Sequence, residues 1–373
     1  MPAGGQTARK RGGRETPGLP RLSAMLEEDQ VVHHAAVGGR SVAWSSAGSG
    51  PVLLIGGWWS SHLELDWEDA GFRSFVGRLA ERHTVVRYDR PGSGLSDRGP
   101  TPAGRDEEVA VLAGVVDAVG ADRLSLLGAS SGCPVAATYA ATQPDRVDRL
   151  VLYGGYARGA DIASPAARDS MVALVEAHWG LGSRVLSDVF LPGGNARERE
   201  AFARFQRRSA SRETAATALR TVYELDATDA LAAVSAPTLV LHRRGDRAIP
   251  FPLGRDLADR IRRATFVELA GDEHFPWRGD SASVAEAVRL FLSGRDPADA
   301  VRRPAPAAED AALSPREVQV LRLVAAGRTD AEIAAELVLS AHTVHRHVAN
   351  IRTRLGVSSR AAAAAWAVDH GLL

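Results

Sequence analysis

From about residue 30 the chain is written as short apolar runs separated by amphipathic stretches. Six runs stand out, at Val52–Ile55, 84–87, 124–127, 150–153, 238–241 and 265–269. A strand buried on both faces reads as a continuous apolar run, so these predict a parallel sheet, with crossover helices in the intervals. Phe75 and Leu79, and Val109, Leu112 and Val116, recur at helical spacing and mark faces turned toward that sheet. Between Gly155 and Ala236 the rhythm breaks and only helical periods remain, which predicts an all-helical insertion standing over the sheet. Residues 294–312 are poor in large apolar side chains and dense in Pro, Ala and charge, the composition of a linker. Helical text resumes over 313–373.

Length and composition narrow this picture. A chain of 373 residues accommodates one large α/β domain and a small module, and 45% apolar with 24% charged residues excludes a wholly disordered chain, a collagen and a coiled coil. Cys133 is the only cysteine, which excludes an internal disulfide framework and a multi-thiolate metal site and suits the cytoplasm. The longest apolar candidate, from Val52 to Trp59, contains two glycines and falls far short of the roughly 20 residues that span a bilayer. Residues 1–25 are rich in Gly, Pro and Arg without an apolar core segment, and are expected to form a disordered basic arm rather than a secretory signal. Lys+Arg and Asp+Glu both number 45, so no bulk charge points to a polyanionic partner.

Candidate chemistry begins at Gly128-Ala129-Ser130-Ser131-Gly132, which follows an expected strand and precedes an expected helix. That order lifts a serine hydroxyl above a sheet on a sharp turn, the glycines relieving the crowding between strand and helix. A serine nucleophile needs a base, and the base an orienting acid. His274 lies just past the last expected strand and Asp246 just past the one before it; Asp272 or Glu273, beside the histidine, are alternatives for the acid. Two oxyanion donors are expected from the backbone of Ser131 and of Trp58, the latter following Gly56-Gly57 after the first core strand. Trp58 and Trp59 also suit a pocket wall.

These residues resemble the α/β-hydrolase family over positions 26–293, and Tyr88-Asp89-Arg90-Pro91-Gly92-Ser93-Gly94-Leu95-Ser96-Asp97 is similar to the turn after its next strand. The resemblance implies a mostly parallel sheet with helices on both faces, a helical lid over 155–236, a Ser130–Asp246–His274 triad, and neither metal nor organic cofactor. Cys133 departs from the small glycine or alanine that often follows the elbow, and reads as a buried apolar side chain or, as the alternative, a thiol nucleophile.

In the C-terminal segment, Ser314-Pro315-Arg316-Glu317 and Thr329-Asp330-Ala331-Glu332 each write a helix start with a capping box. Val344, Val348, Ile351 and Leu355 form one inward stripe on a later helix, with His347 at its edge, while His342 and Arg346 lie opposite and His345 and Arg352 share a flank. A short helix, a tight turn and a helix exposing donors near its N-terminus is the arrangement that enters a major groove. Leu313-Ser314-Pro315-Arg316-Glu317, Gly327, Glu332-Ile333-Ala334, Thr343-Val344, Asn350-Ile351 and Leu355-Gly356-Val357 resemble the LuxR-type DNA-binding domain, over about 309–373. The resemblance implies DNA binding as a homodimer, with His342, Thr343, His345, Arg346 and Arg352 as the DNA-facing set. His345 stands where the family usually has a lysine, and the module's net charge is only about +2. A transcriptional regulator whose hydrolase-like domain senses or hydrolyses a small ester or lactone is the main functional expectation. The alternatives are a serine ester hydrolase docked by its tail and a catalytically inactive sensor.

Overall fold

The computed structural model of the chain describes residues 30–99, 101–302, 313, 315–355, 357, 359–369 and 372. The expected basic arm, Ser314 of the first capping box, most of the expected linker and the side chains of His342 and Arg346 lie outside the described residues. Two compact units meet in sequence between Ala298 and Asp299.

In the first unit, strands β1 (Val31–Val37), β2 (Arg40–Ala47), β3 (Val52–Ile55), β4 (Thr84–Tyr88), β5 (Leu124–Ala129), β6 (Val147–Tyr153), β7 (Thr238–Arg243) and β8 (Ala264–Leu269) form one sheet in the order β1-β2-β4-β3-β5-β6-β7-β8. All six apolar runs lie in the parallel part, β3 to β8. The pattern reading missed β1 and β2, which add as an antiparallel hairpin on β4. Its signal was present: Gly38 and Gly39 both have positive φ, +56° and +78°, as a two-residue hairpin loop of the favoured twist requires. Antiparallel strands with one solvated face lack the continuous apolar run that marks the parallel ones.

The helices are α1 (Leu63–Glu68), α2 (Ala70–Ala80), α3 (Arg105–Val119), α4 (Gly132–Thr142), α5 (Pro165–Ala177), α6 (Trp179–Phe190), α7 (Ala196–Ser209), α8 (Arg212–Glu224), α9 (Phe251–Asp259) and α10 (Ser281–Leu292). Four of them, α5 to α8, fall together between β6 and β7, where the strand rhythm breaks. Leu54, Leu126, Leu150, Leu152 and Val240 of the sheet are fully buried in one cluster with Leu112, Val115 and Val116 of α3 and Ala136, Ala137 and Tyr139 of α4. Each such leucine or valine contributes about 1.5–3 kcal/mol on leaving water, which makes the central sheet a rigid platform.

The second unit contains α11 (Asp299–Arg302), α12 (Pro315–Ala325), α13 (Asp330–Leu337), α14 (Ala341–Leu355) and α15 (Arg360–Asp369). The short α11 lies inside the stretch read as linker, and Asp299 in its first turn suits a helix N-terminus. Val344, Val348 and Ile351 are buried with Val320, Leu321, Val324 and Ile333, so the inward stripe on α14 is the core of this unit. The second capping box forms: Thr329 N–H donates to Glu332 Oε2 at 2.7 Å, and Glu332 N–H to Thr329 Oγ1 at 3.3 Å.

The turn between α13 and α14 carries a cost. Val338 caps α13 with φ +53°, and a β-branched residue is strained in that region. It is 90% exposed, so no packing offsets the strain. Val338→Gly is expected to stabilise the second unit by about 1 kcal/mol. Slower amide hydrogen exchange in α13 and α14 of the full chain checks this, and unchanged or faster exchange refutes it.

Candidate active site and nucleic-acid interface

Ser130 joins β5 to α4 with φ +53°, an uncommon conformation for a residue other than glycine, which costs of order 1–3 kcal/mol. The sheet holds it there: Ser130 N–H donates to Tyr153 O of the adjacent β6 at 2.9 Å, and Cys133 N–H donates to Ser130 O at 3.0 Å. A Cβ at Gly128 would stand 2.7 Å from Gly132 O and 3.0 Å from Cys133 Cα, so any side chain there would push α4 off β5. Cys133 is wholly buried beneath the elbow, with Sγ 3.2 Å from Gly128 O and 3.5 Å from Tyr153 O, and burial pushes its thiol up. That is the environment of a packing cysteine, not of a thiolate.

Two loops meet the serine from the ends of β7 and β8. His274 Nε2 lies 3.0 Å from Ser130 Oγ, and His274 Nδ1 lies 2.8 Å from Asp246 Oδ2. A carboxylate oxygen only accepts, so Nδ1 carries the proton and Nε2 is left to accept from the serine hydroxyl. The other oxygen, Asp246 Oδ1, accepts the N–H groups of Ala248 at 2.9 Å and Ile249 at 3.1 Å, which fixes the carboxylate plane. His274 and Asp246 are both buried, and the orienting acid is Asp246 rather than Asp272 or Glu273. Glu273 turns away; its carboxyl, pushed up by burial, leaves Oε2 without a hydrogen-bond partner among the described residues.

Sequence reasoning missed two supports. Arg243, the last residue of β7, is buried and donates from Nη1 to Glu273 O at 3.0 Å and Phe275 O at 3.4 Å, and from Nη2 to Arg278 O at 2.5 Å. It holds the loop that carries His274 by its backbone. His242, one residue earlier, donates from Nε2 to Ile249 O at 2.9 Å, and burial holds its imidazole below the ordinary range, so it stays neutral 3.7 Å from Asp246. The run His242-Arg243 at a strand end was the available signal, but an arginine there reads as exposed until the fold buries it.

The expected oxyanion segments flank the elbow. Ser131 is the buried N-cap of α4, and a Cβ at Gly132 would lie 3.1 Å from Gly57 O, so the missing side chain admits the loop that leads to Trp58. Trp58 is buried with its ring against Phe72 and Trp277, at centroid distances of 6.2 and 5.2 Å. That loop is tied down by Asp89, which is wholly buried and accepts from Ser61 Oγ at 2.8 Å and from Leu63 N–H at 3.0 Å. Trp59 faces the helical insertion instead, its ring against Trp179 and Phe190.

In the C-terminal unit, His345 is 77% exposed with Nδ1 3.5 Å from Asp330 Oδ2, and Asp330 Oδ1 also meets Arg360 Nη1 at 2.6 Å. Thr343 is committed to the start of α14: its N–H donates to Ser340 Oγ at 3.0 Å and the two hydroxyls stand 2.8 Å apart. Arg352 and His347 are half-buried. Arg360 and, at 3.8 Å, the Arg328–Glu332 pair are thus already partly neutralised within this unit.

Comparison with known proteins agrees with both halves. Residues 50–277 match the family described as alpha/beta hydrolase fold, and residues 311–367 match the bacterial regulatory proteins of the luxR family. A 2-hydroxymuconate semialdehyde hydrolase of Pseudomonas sp. (strain CF600) is 31% identical over 279 residues, covering 70% of this chain and 94% of that protein. The Fimbriae Z protein of Salmonella typhimurium is 38% identical over 104 residues, 26% of this chain and 50% of that one. Among solved structures, the enol-lactonase of Burkholderia xenovorans LB400 superposes with a TM-score of 0.59 at 24% identity, over 70% of this chain and all of that one, which shows the shared fold. The chain belongs to the α/β-hydrolase fold family and carries a luxR-family helix-turn-helix domain fused behind it. No helix among the described residues is long and apolar enough to cross a membrane.

One buried acid beside the site sets a pH dependence. Asp66 is pushed up to about 7, because burial outweighs the Arg87 guanidinium 3.4 Å away, which also serves Leu63 O at 3.2 Å. A carboxyl whose proton is held more tightly in the native state stabilises the fold fully below its unfolded pKa and loses that contribution as pH rises through 7. The stability of the wild type relative to Asp66→Asn should therefore fall between pH 4 and 7, by on the order of 4 kcal/mol. Urea unfolding of both proteins across that range measures it, and a pH-independent difference refutes it.

Proposed function

We propose that the chain is a homodimeric, cytoplasmic transcriptional regulator that binds DNA through its C-terminal module and binds or hydrolyses a small ester or lactone over Ser130. The observation that carries this reading is the Ser130–His274–Asp246 relay, at 3.0 and 2.8 Å, in one chain with a luxR-family module. Ser130 Oγ attacks the carbonyl carbon while His274 Nε2 takes its proton; Asp246 stabilises the imidazolium; the backbone N–H groups of Ser131 and Trp58 receive the oxyanion; and His274 then returns the proton to the leaving alcohol. Water repeats the cycle on the acyl-enzyme.

The named relatives support this assignment by analogy: one is a hydrolase that matches most of the chain, and the other matches a quarter of it. Dimerisation answers the weak charge of the module. A net charge of about +2, part of it already paired, supports few phosphate contacts per copy, and two copies double them.

Turnover is tested with short-chain aryl esters. Ser130→Ala is expected to lower kcat at least 1000-fold with the fold intact by circular dichroism; activity that survives the change removes Ser130 as nucleophile. DNA binding is tested by mobility shift with genomic fragments, as a salt-sensitive shift at micromolar protein. If Arg346 contacts a base, Arg346→Ala weakens specific binding by about 1–3 kcal/mol and leaves nonspecific binding nearly unchanged. Equal loss on all sequences would instead assign it to a phosphate.

A further inference from the structure

Between the loop after β3 and the helix α7 lies a cavity of about 470 Å³ whose walls include the rings of Trp58, Phe72, Phe202, Phe205, Phe275 and Trp277. Neither Ser130 nor His274 lines it, yet its wall is connected to both: Trp58 follows Gly57, whose carbonyl packs on Gly132 of the elbow, and Phe275 follows His274. Phe190, the last residue of α6, packs beside both Phe275 and His274. Its ring is stacked on His274 at a centroid distance of 5.4 Å and lies 5.7 Å from Phe275 and 6.0 Å from Phe202. The ring of Phe190 thus touches both His274 and two rings of the cavity wall.

The wall carries several ionic groups, but most are already paired. Arg278 Nη2 meets Asp69 at 2.7 Å, Asp66 faces Arg87 at 3.4 Å, Glu198 accepts from Asn195 N–H at 2.8 Å, and Arg204 lies 3.9 Å from Glu200. Glu68 and Arg208, of opposite sign, are exposed. Two polar atoms on the wall are buried without a hydrogen-bond partner among the described residues: Nε of Arg278, whose Nη2 is held by Asp69, and Oγ of Ser60, which is 6% exposed. A buried hydroxyl left unpaired costs about 1–3 kcal/mol, which a ligand polar atom would recover.

We propose that this cavity binds an uncharged, flat aromatic group of about two fused rings, with one hydroxyl hydrogen-bonded to Ser60, as the non-reacting part of the ligand. Ring faces and edges on several sides favour offset and edge-to-face contacts with an aromatic guest, the volume lies in the range of small-molecule sites, and the ionic groups of the wall are of both signs, so neither sign of ligand charge is favoured. This deepens the reading of the Ser130 site by naming its ligand class.

The test is made on the full chain. Ser130→Ala protein is titrated with 2-naphthol and, separately, with naphthalene, by calorimetry or ligand fluorescence. Saturable one-site binding of 2-naphthol is expected, weakened at least 10-fold by Ala201→Trp, which places an indole on a residue lining the cavity. Ser60→Ala, with no bulk added, should weaken 2-naphthol about 5-fold and leave naphthalene unchanged. Absence of saturable binding overturns the proposal, as does binding indifferent to both substitutions. The wild type is then assayed on 2-naphthyl acetate and ethyl acetate. A kcat/KM at least 10-fold higher for the naphthyl ester, lost in Ala201→Trp, supports the proposal. Naphthol binding that responds to both substitutions without turnover of either ester also supports the cavity, while removing hydrolysis from the proposed function.

Discussion

The site depends on a single backbone conformation, the left-handed turn at Ser130. An L-residue holds φ +53° only where its surroundings over-determine it, and here β6, α4 and the two elbow glycines do so together. Ser130 N–H is bound to the neighbouring strand, Gly128 lets α4 lie against β5, and Gly132 lets the loop after β3 approach from the other side. The hydroxyl is lifted to where His274 Nε2 can reach it. Strain at that one residue is carried by the sheet, whose buried leucines and valines supply far more free energy than the turn costs.

The base and the acid reach the serine by a different route. Asp246 and His274 come from loops, which are mobile unless tied, and each loop is tied through backbone groups. Asp246 fixes its own turn by accepting two N–H groups, while Arg243 holds the histidine loop by three carbonyl oxygens. The buried guanidinium of Arg243 is solvated by these neutral carbonyl dipoles and by the ring of Tyr153 at 6.0 Å, so losing any of them costs desolvation of a charge. The aromatic cluster of Phe190, Phe275, Trp58 and Trp277 then closes the other side of the histidine and joins the triad to the cavity beneath α7.

Charge in the two units follows different rules. The first unit buries charged groups beside partners, as Arg90 with Glu108, where burial pushes Arg90 down to about 10, and as Arg87 with Asp66, whose carboxyl burial pushes up to about 7. In the C-terminal unit Glu317 is buried, while exposed His345 and half-buried Asp330 and Arg360 form one chain of charged and titratable groups across α13, α14 and α15. The equal totals of acidic and basic residues thus hold nearly within each unit, and the units differ in where their charges sit rather than in how many they carry.

Much of this was legible in the residues. Continuous apolar runs marked the six parallel strands because strands buried on both faces need nothing else, and the order of Ser130, Asp246 and His274 followed from where strands end. The inward stripe of α14 and the Thr329 capping box were equally local, set by a period of 3.6 and a spacing of three. The β1–β2 hairpin was missed because half-solvated strands carry a weaker pattern, although Gly38-Gly39 marked its turn. By itself the sequence determined the elements and the chemistry they could carry, since both rest on interactions among near neighbours in the chain. Only the tertiary structure decided that Asp246 rather than Asp272 or Glu273 faces His274, that Arg243 is buried, and that Phe190 stacks on His274 beside an aromatic cavity. Those outcomes depend on contacts between residues tens of positions apart, which no period or spacing encodes.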